Sequence, residues 1–174
     1  MLNFCSLYSG SSGNCLFVES QSTKILVDCG TSGKKVCDGL ISIDKNIEDI
    51  DAIIVTHEHS DHIQSLGSIS KKYNIPVYAN FETWQAMQTQ ANKIIKENQK
   101  FFENENNFEI GNLLIHPFST PHDAANPCGF NIYSGKKKLS IATDLGHMDN
   151  IILENLKNSS FILLEANYDP EILK

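Results

Sequence analysis

Most of the side chains that could bind a metal or transfer a proton lie in one run, Thr56-His57-Glu58-His59-Ser60-Asp61-His62. In an extended chain, side chains two residues apart point to the same side, so His57 and His59 can bind one ion; on a helix they would be roughly 200° apart. If the chain turns after Ser60, Asp61 and His62 can face a second ion beside the first. Imidazole and carboxylate ligands suit zinc, iron or manganese. The run therefore predicts two neighbouring metal positions.

Three more candidates lie at the ends of predicted strands. His122 follows one strand and Asp144 follows another. Alone, each could be an ordinary loop or turn residue, but beside the first run both are candidate ligands, and Asp144 could bridge two ions through its two oxygens. Asp28 ends an earlier strand, where a buried acid could accept the second N–H of a ligand imidazole. A simple turn residue is the alternative at Asp28.

Other residues are weaker candidates. The segment 9–14 could present backbone N–H groups to an anion, or it could be only a flexible hairpin loop. His147 lies three residues after Asp144 and could reach the site, whereas His116 is expected to be structural or exposed. The five cysteines include no C-x-x-C pair, which favours small, reduced thiols over a thiolate ligand such as Cys29.

Composition and charge narrow the function classes. A chain of 174 residues with 20% charged residues is typical of one globular domain, which we predict to cover 1–174. We see neither an apolar run of membrane-spanning length nor a signal peptide pattern, so we expect a cytoplasmic protein without membrane contacts. The net charge of −7 does not favour nucleic-acid binding by bulk electrostatics. All fourteen basic residues are lysine, so metal, lysine or backbone N–H groups would have to hold a substrate phosphate.

The remaining elements must position these residues. Short apolar runs bounded by Gly, Ser and Asn clusters predict antiparallel strands at 2–8, 15–19 and 24–28. A continuously apolar run at 52–56 predicts a strand buried on both faces. We expect helices at 31–43, 62–73, 81–98 and 149–157, and further strands at 76–79, 100–103, 107–110, 113–119, 128–134, 138–143 and 161–165. Together they predict an α/β (α+β) domain in which two sheets lie between helices, with Trp84 as a core anchor.

The last residues have the pattern of a helix start. Asp169, Pro170 and Glu171 suit the N-cap, the first helical position and the first turn. The sequence stops at Lys174, less than two turns later, and so short a helix is not stable by itself. We therefore expect the domain to be incomplete at its C-terminus.

The H-x-H-x-D-H pattern at 57–62 resembles the hallmark motif of the metallo-β-lactamase fold superfamily. His122 and Asp144 resemble the superfamily's third and fourth motifs, and Asp28 resembles its first. More narrowly, two segments are similar to the WalJ (YycJ) family of bacterial metallohydrolases: Ser6-Leu7-x-Ser9-Gly10-Ser11-Ser12-Gly13-Asn14 and Glu165-Ala166-Asn167-Tyr168-Asp169.

This resemblance implies an αββα sandwich that binds two divalent metal ions, which would be zinc, manganese or iron. By the superfamily pattern, the first ion is bound by His57, His59 and His122, and the second by Asp61 and His62 with Asp144 bridging. The superfamily supplies one more histidine to the second ion. No histidine follows His147, so we expect that ligand beyond Lys174, which would leave the second site of this fragment incomplete and its activity an open question.

The implied activity is hydrolysis by a metal-bridging hydroxide, which Asp61 would orient and deprotonate. For a WalJ-like protein the implied substrate is the phosphodiester backbone of DNA, cut as a 5′-to-3′ exonuclease. A thioester or lactam hydrolase of the same fold is one alternative, although the missing signal peptide pattern argues against a secreted lactamase. A non-catalytic, metal-binding regulatory module is the other; the four motifs that are present argue against it, but the missing histidine leaves it open.

Overall fold

The structure, a computed structural model, describes residues 1–165. Its first half forms a six-stranded sheet in the order β1-β2-β3-β4-β5-β6. The first three strands are antiparallel, as predicted, and β4 to β6 continue the sheet in parallel. The strands are β1 (Asn3–Tyr8), β2 (Cys15–Glu19), β3 (Lys24–Val27), β4 (Ala52–Ile54), β5 (Val77–Ala79) and β6 (Gln99–Phe101).

The helices of the first half lie in the connections of this sheet. They are α1 (Gly33–Ile41), α2 (Ser60–Ile63), α3 (Leu66–Tyr73), α4 (Phe81–Ala86) and α5 (Gln88–Ala91), with short 3₁₀ turns at Ile47–Asp49 and Lys96–Asn98. Two of them begin with a side-chain cap: Ser32 accepts from Lys35 N and Asn80 accepts from Thr83 N. Such caps satisfy N–H groups that the first turn of a helix leaves free.

The second half forms a five-stranded sheet in the order β11-β10-β9-β8-β7. Its strands are β7 (Phe108–Ile110), β8 (Leu113–Ser119), β9 (Cys128–Ser134), β10 (Lys137–Ala142) and β11 (Phe161–Leu164), and α6 (Asn150–Leu156) connects the last two. Strands β7 to β10 are antiparallel, and the α6 crossover returns β11 parallel to β10.

Three buried clusters show how the layers stack. Because neighbouring residues of a strand face opposite sides, Leu26 packs with Leu40 of α1 and Leu66 of α3, whereas Ile25 packs with Ile132 across the two sheets. A third cluster joins the second sheet to α6. The order of layers is helix, sheet, sheet, helix, which confirms the predicted αββα sandwich.

Two predicted helices differ from the structure. The one expected at 62–73 is two helices, α2 and α3, because Ser65 N donates to Cys29 O at 3.0 Å and leaves the helical path. The one expected at 81–98 is divided into α4, α5 and a 3₁₀ turn. Trp84 is the predicted core anchor: it is 5% exposed and its Nε1 donates to Lys100 O.

Two sequence features lie partly or wholly outside the described residues. The helix start at 169–171 lies outside them, as do residues 166–169 of the second family-like segment. Among the helices of residues 1–165, none has both the length and the apolar character that crossing a membrane requires.

Candidate metal centre

The candidate metal-binding run follows strand β4 and lies at the carboxyl end of that strand. The residues of β4 are fully buried, and the chain continues through Val55 and Thr56 to His57 without leaving the interior. His59 has extended backbone angles (φ −61°, ψ 148°) and precedes the first turn of α2. Asp61 and His62 lie in that turn. The extended run followed by a turn is the local geometry that the sequence predicts.

The first ligand group consists of His57, His59 and His122. Each offers a nitrogen atom, and these atoms lie within 4.8 Å of one another. His122 Nε2 is 3.1 Å from His59 Nδ1, and the ring centroids of the three histidines are 4.7 to 4.8 Å apart. Three imidazoles facing one another at this spacing form a cage that suits a cation.

The second ligand group consists of His57, His62 and Asp144, again with ligand atoms within 4.8 Å. His62 Nε2 is 3.0 Å from Asp144 Oδ2 and 3.7 Å from Asp61 Oδ2. The Asp61 carboxylate therefore lies next to the second group but is not one of its three members. His57 belongs to both groups, which places the two candidate positions side by side.

Asp28 is the buried acid behind the histidines. It is 3% exposed, and its carboxylate accepts from Thr56 N at 2.9 Å, from Thr56 Oγ1 at 2.8 Å and from His62 Nδ1 at 2.8 Å. Asp28 and Asp144 both have positive φ, 62° and 53°, at the ends of β3 and β10. Aspartate tolerates this left-handed conformation better than most residues, and it turns both carboxylates towards the histidines.

These contacts determine which nitrogen of each imidazole faces the site. Thr56 Oγ1 gives its hydrogen to Asp28, so it accepts one from His57 Nδ1, 3.0 Å away. That assignment leaves the lone pair of His57 on Nε2, which is buried and has no hydrogen-bond partner among residues 1–165. His62 gives its Nδ1 hydrogen to Asp28, and its Nε2 faces Asp144 Oδ2 in the site, so this nitrogen is not free.

The pKa values show how the groups share charge in the metal-free protein. Burial, followed by the charge of His62, lowers the pKa of His57 to about 3. Burial also lowers the pKa of His62, but Asp28 and Asp144 together raise it to about 10. The hydrogen bond from His62 holds the pKa of Asp144 below its usual value. In the metal-free site His57 is thus neutral and the Asp144 carboxylate is ionised. These are the protonation states in which the two side chains can bind a metal.

Comparison with known proteins agrees with this geometry. Residues 23–172 match the family model of the beta-lactamase superfamily domain. The chain belongs to the beta-lactamase superfamily. Its fold is similar to that of the metallo-β-lactamase fold protein YhfI from Bacillus subtilis, with a TM-score of 0.78, 20% identity, and coverage of 96% of this chain and 71% of that one.

Two relatives within the superfamily are more similar in sequence. The exodeoxyribonuclease WalJ of Streptococcus pneumoniae is 39% identical over 97% of this chain and 63% of its own length. The exodeoxyribonuclease YycJ of Bacillus anthracis is 37% identical over 99% of this chain and 66% of its own length. The chain thus spans about two thirds of the length of these relatives.

The donor set fits the divalent ions that superfamily members bind. A buried, lone-pair nitrogen without a partner costs free energy unless something binds it, and within residues 1–165 His57 Nε2 is such an atom. Imidazole with carboxylate is also the donor chemistry of zinc, iron and manganese sites. The residues present can therefore hold metal.

Sequence reasoning missed two residues of this centre. Thr56 assigns the tautomer of His57, and the only sequence signal is its place between the buried strand and the first histidine. Asn14 lies in the 9–14 segment, which the sequence left open between an anion-binding loop and a flexible hairpin; its side chain reaches the site, with Nδ2 3.0 Å from His62 Nε2. Its Oδ1 accepts from Gly10 N, which fixes the amide with the NH₂ group facing inwards.

The weaker candidates lie elsewhere. His147 is exposed. His116 contacts Asn107 Oδ1 from a strand position, as expected of a structural residue. Cys29 is a buried, free thiol whose pKa is raised by its contact with Cys15 and by burial, and it belongs to neither of the ligand groups found in residues 1–165.

Proposed function

We propose that this chain is the metal-binding part of a dinuclear metal-dependent hydrolase. The observation that carries the proposal is that two ligand groups share His57 and are formed by residues that follow strands of both sheets, namely β4, β8 and β10. The proposed ligands of the first ion are His57, His59 and His122; those of the second are Asp61 and His62, with Asp144 between the two ions. Zinc, manganese and iron all suit these donors.

The proposed substrate is the phosphodiester backbone of DNA, cut from the 5′ end. This rests on the identity of 39% to WalJ and 37% to YycJ, both named exodeoxyribonucleases. A nucleic acid is thus the partner that we propose, and a cytoplasmic location stays a prediction from the N-terminal sequence.

The side chains divide the work of hydrolysis. When bound, two divalent ions supply an activated water and stabilise negative charge on the phosphate and the leaving oxygen. Asp61, whose side chain is 31% exposed, can accept the proton of the water at Oδ2 while remaining in contact with solvent. Asn14 Nδ2 lies 3.5 Å from that oxygen and orients it. Asp28 and Thr56 keep the lone pairs of His57 and His62 directed at the ions.

The test is release of nucleotides from 5′-labelled and 3′-labelled DNA by the chain with manganese or zinc. We expect 5′-to-3′ degradation, lowered at least about 100-fold by Asp61→Ala, a loss typical of a general base. Asp38→Ala is the matched control, because Asp38 is exposed on α1. Absence of DNA cleavage with both metals would contradict the proposal, and turnover of a chromogenic lactam or thioester instead would favour those activities.

A further inference from the structure

Glu58 lies between two candidate ligands but belongs to neither ligand group of the described residues. The chain is extended here, so the side chains of His57 and His59 point to one side and that of Glu58 points to the other. Its carboxylate points away from the candidate metal positions and towards the loop that carries His122.

The contact of Glu58 is with the backbone of that loop. Glu58 Oε1 accepts from Ala125 N at 2.8 Å, a hydrogen bond strengthened by the charge of the acceptor. The other oxygen, Oε2, is buried without a hydrogen-bond partner among residues 1–165. The bond to Ala125 is thus the one hydrogen bond that the carboxylate makes within the described chain.

The loop 120–127 needs such a contact because it leaves the sheet between β8 and β9. Its ends are closed by Thr120 N, which donates to Pro127 O at 3.1 Å, and Asn126 O accepts from Asn80 Nδ2 at 2.7 Å. His122 and its neighbours lie between these anchors, on a half-exposed stretch. Ala125 N is where this stretch is tied to the His57–His59 segment.

We propose that Glu58 is a positioning residue that holds the His122 loop against the His57–His59 segment, so that the third imidazole of the first metal position stays in place. The proposal deepens the proposed function and rests on it for the identity of His122 as a ligand. The bond between Glu58 and Ala125 N is itself independent of metal.

A hydrogen-bond role and a charge role predict opposite results for two variants. Glu58→Asp keeps the charge but shortens the side chain by one methylene, so it withdraws the oxygen from Ala125 N. Glu58→Gln keeps the reach and the acceptor oxygen but removes the charge. The same two substitutions at Glu97, which is exposed on a 3₁₀ turn, are the matched controls.

Two measurements on the full chain distinguish the roles. The first is hydrogen exchange of the Ala125 amide in metal-free protein, with the amides of β8 and β9 as internal reference. The second is the affinity for zinc, measured by calorimetric titration. Neither depends on activity with DNA.

We expect Glu58→Asp to speed exchange at Ala125 about tenfold or more and to weaken zinc binding by roughly 10 to 100-fold, as loss of a supporting contact does at other metal sites. Glu58→Gln should change both quantities less, and the Glu97 variants should match the parent. A larger effect of Glu58→Gln than of Glu58→Asp would overturn the proposal, as would faster exchange with unchanged zinc affinity. Failure of the parent protein to bind zinc and, in a parallel titration, manganese would instead overturn the proposed function, while the exchange result would still report on the bond.

Discussion

The two ligand groups share His57 but are held by different means. In the first group, His122 lies on a half-exposed loop whose position depends on side-chain contacts such as Glu58 with Ala125 N. In the second group, the turn with Asp61 and His62 is held by main chain: Asn14 N donates to Asp61 O and Cys29 N donates to His62 O, both at 2.8 Å. The middle of the His122 loop is thus tied by a side-chain contact, whereas the turn with Asp61 and His62 is tied to two neighbouring segments by main-chain bonds.

Because the two groups are held differently, substitutions in them should have different effects on stability and on metal binding. The second group is continuous with the buried core through Asp28, so damage to it should unfold the domain. The first group is attached at the surface of the fold, so damage to it should remove metal binding and leave the domain folded. Substitutions in each group, and zinc itself, test this difference.

Asp28→Ala should have the largest effect on stability. It leaves the N–H of Thr56 and the positively charged His62 buried without their acceptor, and removal of one partner of a buried ion pair typically costs about 3–5 kcal/mol. Urea denaturation of the metal-free variant measures this cost. Asp49→Ala is the control, since Asp49 is about half exposed and its surface ion pair with Lys24 is worth about 1 kcal/mol or less. Equal losses for the two variants would contradict the buried role of Asp28.

Gly30→Ala should be the next most damaging substitution. A Cβ at Gly30 would lie 1.5 Å from Asp61 O, so the turn with Asp61 and His62 would have to move. We expect a loss of about 3 kcal/mol, at the upper end for overpacking. Gly135→Ala is the control, because Gly135 has φ +58° but open space around it, and backbone strain alone costs about 1–2 kcal/mol. If Gly135→Ala is the more destabilising of the two in urea, the close approach of the turn to Gly30 is not what holds the second group.

Zinc should stabilise the parent domain, because a ligand that binds only the folded state shifts the unfolding equilibrium. At free zinc about 100-fold above its Kd, the expected gain is about 2.7 kcal/mol. Thermal unfolding in chelator and in buffered zinc measures it. An unchanged midpoint would mean that the metal does not bind the folded chain with useful affinity.

His59→Ala should have the smallest effect on the metal-free domain. His59 is only half-buried, and its contacts are with other imidazoles of the first group. We expect a change of about 1 kcal/mol or less in chelator, together with loss of most of the stabilisation by zinc. His62→Ala is the matched comparison, since His62 is fully buried. A greater loss in chelator for His59→Ala than for His62→Ala would reverse the contrast between the groups.

The sequence predicted the elements of the fold because each is marked locally. Apolar runs such as 128–134 and the Gly, Ser and Asn clusters between them specify strands without reference to the rest of the chain. The candidate ligand residues stand out for the same reason: their spacing and their positions after strands are visible in the sequence. How close these residues lie in space follows from the strand order within each of the two sheets.

The missed features depend on contacts between distant parts of the chain. The break between α2 and α3 comes from the bond of Ser65 N to Cys29 O; the nearest weak helix former, Gly67, lies inside α3 and not at the break. Asn14 and Glu58 act on segments 47 to 67 residues away, and a polar residue in a loop carries no mark of its partner. Such contacts become visible only when the two sheets are assembled.

The left-handed backbone at Asp144 also limits how the centre could be redesigned for another metal. A softer ion would favour a thiolate ligand, and a larger, harder ion could be bound by the longer carboxylate side chain of glutamate. Cysteine or glutamate at 144 would have to adopt a backbone conformation that costs most residues about 1–2 kcal/mol. Asparagine and histidine tolerate it better. Metal selectivity at this position is therefore easier to change through the residues around Asp144 than through Asp144 itself.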